Sequence, residues 1–151
     1  MPMATIGQKP IFLDDTAAVQ AIASPNFKPR EIVYLPPDDH QSVSASADPN
    51  ARILNSQVTA EICQYETEAA HPTMLVMAQT WYHCWTAKID GNAAPLLRAN
   101  YGFQAVAIPA GQHQIRLIYN DTLFHIGVVV SLLSLGLGTL TAFLTRGASQ
   151  I

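Results

Sequence analysis

Charged residues are scarce in this sequence, which has 8 Lys and Arg and 11 Asp and Glu among its 151 residues. That is about half the charged fraction of a typical soluble domain. The net charge of −3 is small, and no cluster of Lys or Arg could follow a phosphate backbone. We therefore expect no nucleic-acid partner. A low charge content is instead typical of a chain that lies partly in lipid.

Motifs of known chemistry are missing as well. The histidines at positions 40, 71, 83, 113 and 125 follow no metal-binding or catalytic spacing, and no phosphate-binding loop or serine-hydrolase elbow occurs. Cys63 and Cys84 could form a disulfide in an oxidising compartment or remain as separate thiols. A Cys84 nucleophile would need an orienting third group, which the sequence does not supply. We expect no metal, no cofactor and no catalytic residue.

The N-terminus lacks the basic and apolar segments of a secretory signal, whereas the C-terminal region has one long uncharged stretch. Residues 122–145 contain no Asp, Glu, Lys or Arg, and as a helix they would reach about 35 Å, enough to cross a bilayer. We predict a transmembrane helix over 122–145 and a short tail over 146–151. Without a signal, such a chain would be tail-anchored with its domain in the cytoplasm. Arg146 after the helix and Asp121 before it instead favour an extracytoplasmic domain.

The residues before this helix predict a mainly β protein. Residues 1–36 predict a short α/β prelude, with strands over 10–13 and 31–35 and a helix over 16–24 after an acidic or Thr N-cap. Residues 37–50 are rich in Ser, Asp and Pro and predict a polar linker.

Residues 51–121 predict an antiparallel β-sandwich of the jelly-roll type. Period-two alternation and apolar runs indicate strands over 58–62, 73–79, 85–89, 102–108 and 112–119, and the continuous apolar run 73–79 predicts a central strand. Asp90-Gly91 is a strong hairpin signal, and residues 109–111 (PAG) predict another tight turn.

Several segments together resemble the C-terminal region of YfhO-type bacterial multi-pass membrane proteins. They are residues 79–85 (QTWYHCW), 89–92 (IDGN), 98–101 (RANY), 108–111 (IPAG), the stretch 14–30 and the closing apolar helix. The resemblance extends over about residues 9–145. It departs from the family pattern at His83-Cys84, where the family has Pro-Gly, so it does not imply the conformation of that turn.

The resemblance implies a location in the bacterial cytoplasmic membrane. Full-length members carry a membrane-embedded N-terminal half similar to lipid-linked-sugar glycosyltransferases of the GT-C type, which are implicated in glycosylating cell-envelope polymers. The presumed catalytic acids of the family lie in that half, so no catalytic residue is implied for this chain. The implied partners are membrane lipid and other transmembrane helices, either the missing half or a second copy.

Aromatic residues concentrated in one part of the sequence are candidates for glycan binding. They are Trp81, Tyr82, Trp85 and Tyr101, with Arg98 close by in sequence. Their rings could stack on sugars, although core packing explains such rings as well. Strand alternation would point Trp81 and Trp85 to the same side, and Arg98 could reach a phosphate or carboxylate.

Small residues recur on one face of the predicted transmembrane helix. Their spacing of four and three residues would allow another helix to approach closely, although small residues in membrane helices also align by chance. They are Gly127, Ser131, Ser134, Gly138 and Thr141.

Two functions follow from the sequence and the resemblance. The first is a non-catalytic extracytoplasmic domain that binds or orients a glycan acceptor, at most the accessory part of a glycosyltransferase. The alternative is a membrane-anchored structural or interaction module that assembles with other membrane proteins.

Overall fold

Ten strands and two α-helices make up the part of the chain that the computed structural model describes, residues 3–148, with side chains to residue 139. The strands are β1 (Ala4–Phe12), β2 (Ile32–Leu35), β3 (Arg52–Val58), β4 (Ile62–Ala69), β5 (Thr73–Thr80), β6 (Trp85–Ile89), β7 (Asn92–Ala94), β8 (Leu97–Ala99), β9 (Phe103–Ile108) and β10 (Gly111–Tyr119). The helices are α1 (Asp15–Ala23) and α2 (Thr122–Ala148), and Pro37–Gln41 forms a short 3₁₀ helix.

The strands form two five-stranded sheets. The first sheet has the order β2-β1-β5-β9-β8, and the second has the order β3-β4-β10-β6-β7. Every pairing is antiparallel except that of β1 with β2. Alternating residues of both sheets bury one shared core, which includes Cys63, Tyr65, Leu75, Met77, Trp85, Val106, Ile115 and Leu117. The predicted antiparallel β-sandwich with one C-terminal apolar helix is confirmed.

The first sheet is covered on both faces. Its second face buries a smaller core that includes Val33, Leu35, Met74 and Val76, and Phe12, Val43 and Ala45 pack against it. Sheets buried on both faces read as continuous apolar runs, which explains the sequence of β5. This strand lies in the middle of its sheet, as predicted.

The N-terminal residues belong to the same compact unit as the later strands. Strand β1 pairs with β5, and β2 pairs in parallel with β1. The α/β prelude and the segment after it therefore form one compact unit with the later strands, which extends to Tyr119. Helix α1 begins after Asp14, whose carboxylate accepts the backbone N–H of Ala17 at 2.8 Å, which matches the predicted acidic N-cap. Strand β1 is longer than the predicted segment 10–13.

The prediction of a strand over residues 58–62 is wrong. Strand β3 ends at Val58 and β4 begins at Ile62, and a tight turn joins them. The backbone N–H of Thr59 donates to the Ile62 carbonyl at 2.8 Å, and the Thr59 hydroxyl accepts the Ile62 N–H at 3.0 Å. The alternation that suggested a strand therefore spans a turn.

Helix α2 forms a unit of its own. Asp121 caps it by accepting the backbone N–H of Phe124 at 2.9 Å. The segment Thr122–Thr139 is long and apolar enough to cross a membrane, and none of its residues is buried within the chain. The predicted apolar C-terminal helix is confirmed.

Candidate functional site

A turn separates the two tryptophans of the predicted aromatic group. Strand β5 ends at Thr80 and β6 begins at Trp85, and the Trp85 N–H donates to the Tyr82 carbonyl at 3.0 Å. His83 and Cys84 occupy the centre of this turn. The interpretation that Trp81 and Trp85 point the same way along one strand is therefore wrong.

The aromatic rings next to this turn lead from the surface into the core. Trp85 is only 8% exposed and packs edge-on against Tyr119, with the ring centroids 5.3 Å apart. The Tyr119 ring lies nearly parallel to that of Tyr82 at 6.5 Å, and Tyr82 also contacts His83 at 4.2 Å. Trp85 is thus a core residue that supports the exposed ring of Tyr82.

Trp81 and Tyr101 lie on neighbouring segments. The Trp81 backbone N–H donates to the Gly102 carbonyl at 2.8 Å, which places residues 81–82 beside residues 101–102. Trp81 is 37% exposed, Tyr82 46% and Tyr101 57%. We call these three residues the aromatic surface.

The backbone around Tyr101 is held in an unusual conformation. Asn100 and Tyr101 have φ angles of +46° and +70°, in a region that residues other than glycine rarely adopt. Asn100 is fixed to β2, because its N–H donates to the Tyr34 carbonyl at 2.8 Å and its side-chain oxygen accepts the Tyr34 N–H at 2.9 Å. Such constrained residues concentrate at functional sites. The Tyr101 side chain is therefore exposed on a rigid support.

Arg98 is occupied by protein groups. Its guanidinium pairs with both carboxylate oxygens of Asp15, at 3.1 and 2.7 Å, and also donates to the Tyr101 carbonyl at 3.1 Å. The hydrogen bond with Asp15 raises the pKa of Arg98. Arg98 therefore positions the Tyr101 loop, and an acidic ligand would have to compete with Asp15 for it.

A second surface, which is polar, was not predicted from the sequence. The outer face of the second sheet lines a cavity of about 380 Å³ with amide and charged side chains from β3, β4, β6 and β10. They are Asn55, Gln57, Gln64, Glu66, Lys88, Gln114 and Arg116. We call this group the polar face. The alternation of polar residues in β4 and β10 could have located it, whereas the pairing of strands that brings these residues together is not visible in the sequence.

Comparison with known families places this region in a described family. The family model described as bacterial membrane protein YfhO matches residues 49–131, more than half of the chain. This chain belongs to the YfhO family. The matched region contains strands β3 to β10 and the beginning of α2, and thus both the aromatic surface and the polar face. No curated protein and no solved structure matches the chain.

Two of the segments that resemble the YfhO pattern lie next to each other at a second turn. The residues 89–92 and 108–111 are connected through His113, whose Nδ1 lies 2.6 Å from Asp90 Oδ2 and whose Nε2 lies 3.2 Å from the Ala110 carbonyl. Asp90 also accepts the backbone N–H of Gln114 at 2.8 Å. Both ring nitrogens face acceptors, so the protonated imidazole fits best. The hydrogen bond with Asp90 raises the pKa of His113, and the same bond lowers the pKa of Asp90.

We expect His113→Gln to remove a pH-dependent contribution to the stability of the β-sandwich. Because the pKa of His113 is raised on folding, its contribution is complete below its unfolded pKa of about 6.5 and disappears as pH rises through the folded pKa. Chemical unfolding of the wild type and the variant between pH 5 and 9 measures this difference, which should be largest at the acid end. His40→Gln, which alters a ring packed against Phe12 at 4.7 Å, is the control. Parallel pH profiles for His113→Gln and wild type would contradict the assignment.

The cysteines and the metal-binding residue types show no joint site in the described residues. Cys63 and Cys84 are free thiols, and Cys63 is buried with its sulfur 3.3 Å from the Gln79 side-chain oxygen. Burial raises the pKa of the Cys63 thiol. Within the part of the chain that the structure describes, no three His, Cys, Asp or Glu residues are placed to hold a metal ion.

Four of the five small residues, Gly127, Ser131, Ser134 and Gly138, lie in the part of α2 whose side chains the structure describes. The hydroxyls of Ser131 and Ser134 donate to the carbonyls of Gly127 and Val130, each at 2.8 Å. A Cβ atom added at Gly127 or Gly138 would meet no other atom within 4 Å. The side chain of Thr141 lies outside the described residues. Packing of this face against another helix remains a prediction.

Proposed function

We propose that the β-sandwich is a non-catalytic, extracytoplasmic glycan-binding domain, which positions a glycan acceptor for the membrane-embedded part of a YfhO-type glycosyltransferase. The observation that carries the proposal is the aromatic surface, which has three exposed rings, one of them (Tyr101) on a constrained backbone. Family membership supports the membrane setting. The glycosyltransferase context rests on the resemblance to full-length family members.

The chemistry of the aromatic surface suits a sugar ligand. The C–H faces of a pyranose ring are apolar and pack against aromatic rings, while the phenol hydroxyls of Tyr82 and Tyr101 can exchange hydrogen bonds with sugar hydroxyls. Rigid aromatic side chains lose little conformational entropy on binding. The left-handed backbone at Asn100 and Tyr101 fixes the point from which the Tyr101 ring projects, which reduces the ordering cost of binding.

We expect the double variant Trp81→Ala, Tyr101→Ala to weaken glycan binding by at least about tenfold, since each ring supplies apolar area and stacking. Binding is measured on an oligosaccharide array with the full chain in a detergent that has no sugar headgroup. Leu54→Ala, which removes an equally exposed apolar side chain from β3, should bind like wild type.

The alternative, an interaction module anchored in the membrane, predicts a different result. It predicts that the wild-type chain binds no glycan, or that the folded double variant binds glycan as tightly as the wild type. It would locate function on α2, where no side chain of Thr122–Thr139 is buried. Trp85→Ala separates loss of fold from loss of binding. Because Trp85 is a core residue, its replacement is expected to destabilise the β-sandwich rather than to remove a ligand contact.

A further inference from the structure

The polar face is organised in rows that cross the second sheet. One row contains Gln57, Gln64, Arg116 and Lys88, which are direct neighbours on β3, β4, β10 and β6. The next row contains Asn55, Glu66 and Gln114. On β4, β6 and β10, alternation sends these side chains to the outer side while their neighbours are mostly buried in the core, whereas β3 is an exposed edge strand.

The side chains of these two rows have no partners among the described residues. The adjacent row along the same strands differs, because Arg52 pairs with Glu68 at 2.6 Å and Gln112 donates to Glu68 at 3.3 Å. Lys88 and Arg116 form no ion pair with any residue that the structure describes. One row of this sheet thus satisfies its own charges, and the rows lining the cavity do not.

The pairing of Arg116 with Lys88 is unfavourable without a ligand. Like charges directly opposite each other on neighbouring strands destabilise a sheet. A bound anion would remove this repulsion and accept charge-assisted hydrogen bonds from both cations. The surrounding amides can both donate to and accept from hydroxyl groups, and the Glu66 carboxylate can accept from them. A ligand with one negative charge and several hydroxyls matches this set of groups.

We propose that the polar face binds an anionic saccharide, with its phosphate or carboxylate between Lys88 and Arg116 and its hydroxyls at Gln57, Gln64 and Gln114. The cavity volume of about 380 Å³ is of the size that holds a small ligand. None of these residues belongs to the aromatic surface, so this site is separate from the one proposed above.

Calorimetric titration of the full chain in an uncharged detergent without a sugar headgroup tests the site. The probes are a phosphorylated oligosaccharide, a uronate-containing oligosaccharide, their neutral counterparts and inorganic phosphate, all at one ionic strength. We expect the anionic oligosaccharides to bind at least about tenfold more tightly than the neutral ones, and the double variant Lys88→Gln, Arg116→Gln to remove this preference. The comparison of phosphate with uronate identifies the anionic group.

Arg52→Gln is the matched control, because it removes a cation from the same face that is already paired with Glu68. It should bind like wild type. Relief of the repulsion should leave the Lys88→Gln, Arg116→Gln variant at least as stable as wild type, so loss of fold does not account for loss of binding. Gln57→Ala, Gln64→Ala should weaken binding of the saccharides and leave inorganic phosphate unaffected.

Three results would overturn the proposal. They are equal binding of neutral and anionic oligosaccharides, unchanged binding by the variant that lacks both cations, and inorganic phosphate binding as tightly as the phosphorylated saccharide. Failure of the folded wild type to bind any anionic oligosaccharide would overturn it too. The variant Trp81→Ala, Tyr101→Ala should leave this site intact, which distinguishes it from the aromatic surface.

Discussion

Replacement of Asp48 by Ala is expected to lower the free energy of unfolding of the β-sandwich by about 4 kcal/mol. Asp48 is buried, and its carboxylate accepts three backbone N–H groups: those of Ala70 at 2.6 Å, His71 at 2.9 Å and Asn50 at 3.0 Å. These hydrogen bonds are partly buried, and each donor left without an acceptor costs up to about 1–3 kcal/mol. In thermal unfolding followed by near-ultraviolet circular dichroism, Tm should fall by about 15 °C.

Asp38→Ala is the control for this prediction, because Asp38 is exposed on the 3₁₀ helix and its removal should change stability by less than about 0.5 kcal/mol. The difference between the variants should depend on pH. Hydrogen bonds from the backbone, that of His71 above all, lower the pKa of Asp48. Its contribution is therefore present above its unfolded pKa of about 4 and disappears as pH falls through the lowered folded value. Equal stability of the two variants at neutral pH would show that Asp48 does not hold these loops together.

Local patterns in the sequence predicted individual strands and tight turns. The continuous apolar run predicted β5, and turn chemistry predicted the Asp90-Gly91 hairpin between β6 and β7 and the turn between β9 and β10. The uncharged stretch predicted α2 for the same reason, since length and composition alone decide it. These features depend on neighbours in the sequence, and so they can be read from it.

Features that depend on distant partners were not predictable in this way. The segment 37–50 has the composition of a linker, yet Asp48 within it binds the β4–β5 turn, and Val43 and Ala45 cover the second core. The polar face exists only because β6 pairs with β10 rather than with β5. Arg98 likewise meets Asp15, which lies 83 residues away in the sequence. In each case the decisive contact is a tertiary one, for which period and propensity carry no signal.

Replacement of Gly7 by Ala is expected to cost about 4 kcal/mol or more, and to prevent accumulation of folded protein if the domain is marginally stable. Gly7 has a φ angle of +99° and lies at a bulge, where the register between β1 and β5 shifts. A Cβ atom there would lie 2.4 Å from the backbone carbonyl oxygen of Asp48, too close for any heavy-atom contact. The carbonyl cannot easily retreat, because the Asp48 N–H donates to the Gly7 carbonyl at 3.0 Å and its carboxylate is bound on the other side.

Gly91→Ala provides the matched comparison. Gly91 also has a positive φ angle, +83°, but a Cβ atom there would meet no other atom within 4 Å. Its replacement therefore carries the backbone strain alone, about 1–2 kcal/mol. Chemical unfolding of both variants measures the excess cost at Gly7, which reports the contact with Asp48. If the free energy of unfolding falls by the same amount in the two variants, the bulge tolerates a side chain and β1 is not packed tightly against residues 48–51. If Gly7→Ala loses more, as we expect, the close packing of β1 against the Asp48 loop contributes to the stability of the β-sandwich.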